Sequence, residues 1–401
     1  MSRDVRVSIV HERFTEFAGS EAVVEAMARR WPQALLHAPV ARRGVLPGDL
    51  EPRVRATRLS RLLRGPGYAH LLPALPLAMR SLRLPDADVV VASHHAFATQ
   101  VAMTSAAPVV AYVHSPARWV WEASMRRGEG TGLLGGGGVG AAGLAAFSTA
   151  FKPFDVAAAQ RVHTLVANST CVAERIRRWW GREAQVVAPP VNTGFYAPDA
   201  RTPREDFFLL AGRLVPYKRP DLAVKAAARA GVRLVVAGEG RFLRQVEGLA
   251  GPRTTFLGRV SDVELRDLFR RCRALLMPGV EDFGIVPVEA MACGAPVVAL
   301  AEGGALDTVV PGVSGQLVPA VPRELEVDAW AEALLAFDAP AFDPDRVRAH
   351  AGTFSRASFA DAMAAVVDRV AHGSALPQQA ASPSIDLRDS APAAARHTSW
   401  S

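Results

Sequence analysis

The stretch MPGVEDFGIVPVEAMACGAPVVAL, from Met277 to Leu300, carries two carboxylates, Glu281 and Glu289, where an apolar strand gives way to a helix with Pro287 near its first turn. In open α/β sheets ligands bind beyond the carboxyl ends of the strands, and a helix start there offers free N–H groups to an anion. Carboxylates at such a place can accept hydrogen bonds from sugar hydroxyls. The plainer alternative for Glu289 is a carboxylate that merely favours a helix start. A second stretch, AGRLVPYKRP from Ala211 to Pro220, sets Arg213 and Lys218 on another strand-to-helix loop. That pair suits a diphosphate leaving group, because a guanidinium forks onto phosphate oxygens while an ammonium acts as a point charge. The alternative is a solvated basic loop.

The elements that must position these residues alternate between short β-branched runs and longer segments of helical period, the grammar of a parallel sheet. Strands are expected at Val5 to Val10, Val89 to Ser93, Val109 to His114, Thr164 to Asn168 and Gln185 to Ala188, with helices at Glu21 to Trp31 and Cys171 to Trp180. A polar, proline-bearing stretch over 191–206 breaks the pattern. It then resumes with strands at Phe207 to Ala211, Arg233 to Ala237, Ala274 to Met277 and Pro296 to Leu300, and helices at Arg219 to Ala230 and Ser261 to Arg271. The expected organisation is an α/β chain of two Rossmann-like, doubly wound domains facing across a cleft. Residues 1–190 are expected to form the first domain, 191–206 the hinge and 207–373 the second domain, whose last helix is free to pack back on the first. Residues 374–401 are rich in Ser, Pro, Gln and Ala and are expected to be a disordered tail. The uncharged run from Gly130 to Phe151, with Gly135 to Gly138 consecutive, is expected to be a mobile loop near the acceptor, since polyglycine supplies freedom rather than packing.

Composition bounds the answer. Half of the 401 residues are apolar and 21% are charged, which excludes disordered and fibrous classes. Cys171, Cys272 and Cys293 are scattered in no metal-binding or disulfide spacing, and the N-terminus lacks a long apolar leader, so a cytoplasmic protein is expected. The net charge of +7 favours anionic partners. Arginines from Arg53 to Arg83, interleaved with leucines, suit either contact with an anionic bilayer at the inner face of the cell membrane or an ordinary amphipathic surface helix.

Taken together and in order, these stretches resemble family 4 of the retaining glycosyltransferases, with the GT-B fold. The resemblance rests on the E-x7-E pair Glu281 and Glu289, GRLVPYKRP, the Gly19, Ser20, Glu21 loop, YVHSP, ANS at Ala167 to Ser169, the APPV hinge, VAGEGR and LGRVSD. It implies a hexosyltransferase acting in cell-envelope polysaccharide or glycolipid synthesis, without a prosthetic group. The partners it implies are a nucleotide sugar and a glycan or polyprenyl-linked acceptor, and not nucleic acid. Within the family, AYVHSPARWVWE is similar to bacterial GDP-mannose-dependent mannosyltransferases of the O-antigen type, so GDP-mannose is the first donor expected and a UDP-hexose the second. Carried over residue by residue, the resemblance makes His114, Glu281, Arg213 and Lys218 the catalytic set. It places Gly19, Phe283, Gly284 and Ile285 near the donor and Glu289 on its ribose. Gly19 departs from the family's usual pair of glycines, since Ala18 precedes it, and this bears on how closely that backbone approaches phosphate.

Other residues have two readings each. Ser261, Asp262 and Glu264 spell a capping box; alternatively Asp262 or the backbone of Val260 meets the base, where a carboxylate accepts from the N1 and N2 donors of guanine. His94, His95 and Arg118 are candidates for the acceptor side. Asp86 and Asp88 spell a D-x-D, the metal signature of a different glycosyltransferase fold, but they lead straight into VVVAS and read as turn residues, so no metal is expected. Rival functions are a UDP-N-acetylhexosamine epimerase and a non-catalytic sugar-nucleotide-binding partner.

Overall fold

The computed structural model describes residues 5–63, 68–123, 125 and 138–373. Two parallel sheets organise it. The first comprises β1 (Val7–His11), β2 (Leu36–Ala38), β3 (Val54–Ala56), β4 (Val89–His94), β5 (Val109–Val113), β6 (Thr164–Ala167) and β7 (Gln185–Val186), in the order β3-β2-β1-β4-β5-β6-β7. The second comprises β8 (Phe208–Ala211), β9 (Leu234–Ala237), β10 (Thr254–Gly258), β11 (Ala274–Met277), β12 (Val297–Leu300) and β13 (Gly315–Val318), in the order β10-β9-β8-β11-β12-β13. Each order reverses once, between β1 and β4 and between β8 and β11, and there the outgoing loops diverge and leave a crevice.

The central strands read as continuous apolar runs because helices cover both faces. In the first sheet Ile9, Val91, Val110 and Val166 pack on one face, while Val10, Val90, Ala111 and Leu165 pack on the other. The second sheet divides in the same way, with Leu209, Leu275 and Val297 opposite Leu210, Leu276 and Val298. After the second sheet the chain crosses back. The helix Arg356–Ala371 lays Phe359, Met363 and Val367 into the core of the first domain, with Phe359 edge-on to Tyr112 at 5.4 Å.

Three sequence expectations change. β2, β3, β10 and β13 were not anticipated: β2 and β3 are three residues long, and Thr254–Gly258 alternates exposed and half-buried positions at a sheet edge. The loop expected over 130–151 lies outside the described residues up to 137, but from there the chain forms the helix Gly138–Arg161. Past the glycines the run is rich in alanine, a strong helix former. Leu144 and Phe151 anchor the helix in a cluster with Phe97, and Phe147 stacks on Trp119. Finally, the arginine-rich segment is not one amphipathic helix. It breaks into β3, the 3-10 turns Arg58–Leu62 and Ala69–Ala74, and the short helix Leu75–Arg80. Arg53 within it is structural, donating to the carbonyls of Ala28, Trp31 and Ala34 at 2.7–3.0 Å and so satisfying the end of the helix Gly19–Arg30. No helix among the described residues is long and apolar enough to cross a membrane. The expected tail, 374–401, lies outside them.

Candidate active site

The C-terminal wall of the cleft is built on β8 and β11, the paired strands beside the reversal. Arg213 and Lys218 follow β8, Glu281 follows β11, and all three line one crevice with Gly212, Gly279 and Pro287. Lys218 Nζ lies 2.9 Å from Glu281 Oε1, with the side chains 18% and 22% exposed. Tight backbone packing makes this pairing possible. A Cβ on Gly279 would stand 2.5 Å from Lys218 Cα, so only glycine lets the two loops touch. Gly303, at φ 63°, approaches the Glu281 carbonyl so closely that a Cβ would sit 2.6 Å from it, and Gly304 N donates to the same oxygen at 2.8 Å. Arg213 is exposed and donates to the Tyr217 hydroxyl at 3.4 Å, and no carboxylate among the described residues forms an ion pair with it.

Glu289 lies in the second turn of the helix Ile285–Ala292, too deep to be a helix-start carboxylate. Its carboxyl has no hydrogen-bond partner among the described residues. Burial, followed by the charge of Asp262, pushes it up to about 7. Asp262 opens the helix Asp262–Arg271, where the capping box is present: Ser261 Oγ accepts from Glu264 N at 3.2 Å, and Glu264 accepts from Ser261 N at 2.7 Å. Val260 packs against the apolar cluster beneath. Phe283 is buried edge-on to Phe354, and Gly284 and Ile285 begin a helix that has no side-chain cap among the described residues.

The N-terminal wall is different in kind. His114 follows β5 and is partly exposed. Its Nε2 lies 2.9 Å from Ser93 Oγ, Ser93 Oγ lies 3.1 Å from His11 Nδ1, and His11 Nε2 lies 3.1 Å from Glu21 Oε1. His11 ends β1 and Ser93 is the penultimate residue of β4, and the two are direct register partners, which is why they meet. Burial raises Glu21, but the hydrogen bond and charge of His11, its own backbone N–H and Ser20 outweigh this and hold it at about 2. Burial and then the charge of His11 lower His114 to about 3, so its ring is neutral. Glu12 accepts the four backbone N–H groups of His95, Ala96, Phe97 and Ala98 at 2.7–3.1 Å and fixes the turn after β4.

The acceptor-side expectations divide. His95 borders this wall, accepting from Arg13 and lying 5.9 Å from the His11 ring. His94 does not. Successive strand residues point to opposite faces, so with Ser93 turned to the relay, His94 is fully buried behind it. There it accepts from Thr99 N at 3.2 Å and lies edge-on to Trp180. Arg118 is held by Glu122 and by Asp282 of the opposite wall. Asp88 of the D-x-D pairs with Arg6 at 2.9 Å.

The walls meet at the residues flanking the candidates. Asp282, beside Glu281, accepts from Arg118 at 3.4 Å and from Arg175 Nη1. Asp307 accepts from Thr170 N and Oγ1 at 2.8 and 2.7 Å. Gly19 stands where a Cβ would lie 3.3 Å from Ile285 Cδ1. The structure thus brings Arg213, Lys218 and Glu281 into one crevice, Asp262 beside Glu289, and Gly19 against Ile285. Sequence reasoning missed His11, Ser93, Arg175, Asp282 and the role of Glu21. The signal available for the first two was a polar residue at or next to the end of each of two largely apolar strands, VSIVH and VVVASH.

Residues 197–337 match the family of glycosyl transferases group 1. A D-inositol 3-phosphate glycosyltransferase of Mycobacterium avium (strain 104) is 39% identical over 206 residues, covering 45% of this chain and 48% of the relative. The chain therefore spans about half the length of the curated relatives it matches. Among solved structures, the sucrose-phosphate synthase of Thermosynechococcus elongatus aligns with a TM-score of 0.71 at 19% identity, over 92% of this chain and 100% of that one. Anabaena HepE in complex with UDP aligns with a TM-score of 0.67 at 19% identity, over 90% and 99%. The fold is the two-domain GT-B arrangement.

Proposed function

We propose that this protein is a retaining hexosyltransferase that takes its sugar from a nucleoside diphosphate. The observation that carries the reading is the Lys218–Glu281 pair, with Arg213 beside it, at the strand-order reversal of the second sheet. A bound diphosphate sugar divides that pair: its phosphates take Lys218 and Arg213, and its sugar hydroxyls take Glu281. Positive charge then meets the negative charge that builds on the diphosphate as the glycosidic bond breaks. Glu289 accepts from the ribose hydroxyls, and the first-turn backbone from Phe283 to Ile285 borders the phosphates. His114 supplies a neutral, oriented ring on the opposite wall, and the acceptor hydroxyl attacks from the face that the leaving group vacates.

For the donor, AYVHSPARWVWE favours GDP-mannose, with Asp262 accepting from guanine. A second reading, a UDP-hexose, is favoured by the neighbouring fold of HepE, whose structures hold UDP and UDP-glucose. Thermal-shift measurement with GDP, UDP and ADP separates them, because a ligand selective for the folded state raises its stability. GDP is expected to give the largest shift; a larger one with UDP removes the mannose assignment. For the acceptor we propose a glycan or lipid-linked sugar. Exposed Leu62 and Leu77, in a segment that also exposes Arg58, Arg61 and Arg83, would contact an anionic inner-membrane surface. Flotation with anionic vesicles at low salt tests this, and absence of co-flotation contradicts it.

A further inference from the structure

The hydroxyl of Ser93 sits between two imidazoles, 3.1 Å from His11 Nδ1 and 2.9 Å from His114 Nε2. Ser93 is fully buried, and these nitrogens are the hydroxyl's only partners among the described residues. The far end of the chain is fixed in sense. An ionised carboxylate only accepts, so His11 Nε2 must carry the proton it shares with Glu21 Oε1 at 3.1 Å. What remains is one hydroxyl proton and two possible recipients.

We propose that Ser93 is a positioning residue that couples the two rings, so that the charge state of His11 decides which nitrogen of His114 carries the proton. When His11 is neutral its Nδ1 has a lone pair; the Ser93 O–H donates to it, and Ser93 Oγ accepts from His114 Nε2–H. His114 then presents a lone pair on Nδ1, able to accept from a sugar hydroxyl. When His11 is cationic its Nδ1–H donates to Ser93 Oγ, the hydroxyl turns to His114 Nε2, and the His114 proton moves to Nδ1. There it becomes a donor suited to a phosphate oxygen. The groups facing His11 are Glu21, Ser93, the Phe14 ring and the His95 ring, with Arg13 behind His95; those facing His114 are Ser93, His95 and Tyr112. The bearing of this coupling on transfer rests on the reading of His114 given above.

Long-range ¹H–¹⁵N spectra of the full chain report each tautomer directly, with the two rings assigned through His11→Asn and His114→Asn. The expected result is a matched pair, either neutral His11 with Nε2–H on His114 or cationic His11 with Nδ1–H on His114. A mismatched pair overturns the proposal. Ser93→Ala is expected to leave His114 a mixture of tautomers, and Ser93→Thr to restore one; an unchanged single tautomer in Ser93→Ala also overturns it. Ser93→Ala is further expected to lower kcat about tenfold with donor KM nearly unchanged, the scale of one hydrogen bond to a reacting group. Full transfer by His114→Ala would instead remove the catalytic reading of His114 and leave the tautomer coupling standing.

Discussion

The two walls of the cleft treat their glutamates in opposite ways. On the N-terminal wall Glu21 is buried, bonded to His11 and held at about 2. On the C-terminal wall Glu289 lies beside Asp262 with no hydrogen-bond partner among the described residues and rises to about 7. The same contrast runs through their neighbours. His11, Ser93 and Glu12 make their hydrogen bonds inside the protein, whereas Arg213 is exposed and Lys218 and Glu281 pair with each other alone among the described residues. A wall satisfied internally can preset the orientation of a neutral ring. A wall of unsatisfied or mutually paired charges is one that a charged ligand completes.

The largest effect expected from this contrast comes from removing charge on the open wall. Lys218→Ala should lower transfer roughly 10²–10³-fold while the protein stays folded, because the lost interaction strengthens as the diphosphate departs. Rates within a factor of two of wild type would erase the distinction between the walls. Next is the seam between them: Asp282→Asn removes the charge that Arg118 and Arg175 share across the cleft and should lower kcat/KM about tenfold. X-ray scattering should show a larger radius of gyration without nucleotide, and an unchanged radius and rate would make the seam incidental.

Legibility differed between the walls for the same physical reason. Arg213, Lys218 and Glu281 stand in loops and Glu289 in the helix that follows, all at short sequence spacings, so their types and order can be read directly from the sequence. The other wall is assembled from β1, β4 and β5 across about a hundred residues, and His11 meets Ser93 only through strand register. The doubly wound fold was legible in the alternating apolar runs. The short strands β2 and β3 and the edge strand β10 were not, because three residues or a half-exposed edge carry too little pattern. The helix after the glycines was not legible because the freedom expected of consecutive glycines does not extend to the alanines that follow, which favour a helix.

A smaller effect sharpens the comparison of the glutamates. Raised from 4.5 to about 7, Glu289 favours the fold in its protonated form; that contribution is fully present below about pH 4.5 and is lost as pH rises through about 7. Between about pH 5 and 8 the wild type should therefore lose on the order of 2 kcal/mol relative to Glu289→Gln, as read by urea unfolding at each pH. Asp155, also raised to about 7 by burial, titrates in both proteins and cancels in the difference. Parallel stability profiles would mean that Glu289 already has a partner. Smallest is Ser261→Ala, which removes the cap beside Asp262 and should reduce stability by about 1 kcal/mol while leaving nucleotide affinity unaltered.

The central claim is that the C-terminal wall holds a diphosphate. Calorimetric titration of a nucleoside diphosphate and its monophosphate into wild type and Lys218→Ala tests it most directly. Wild type should bind the diphosphate at least about tenfold more tightly, the scale of one charge-assisted phosphate contact, and Lys218→Ala should lose most of that preference. Equal affinities for the two nucleotides in wild type, or a preference that survives the substitution, would contradict the account.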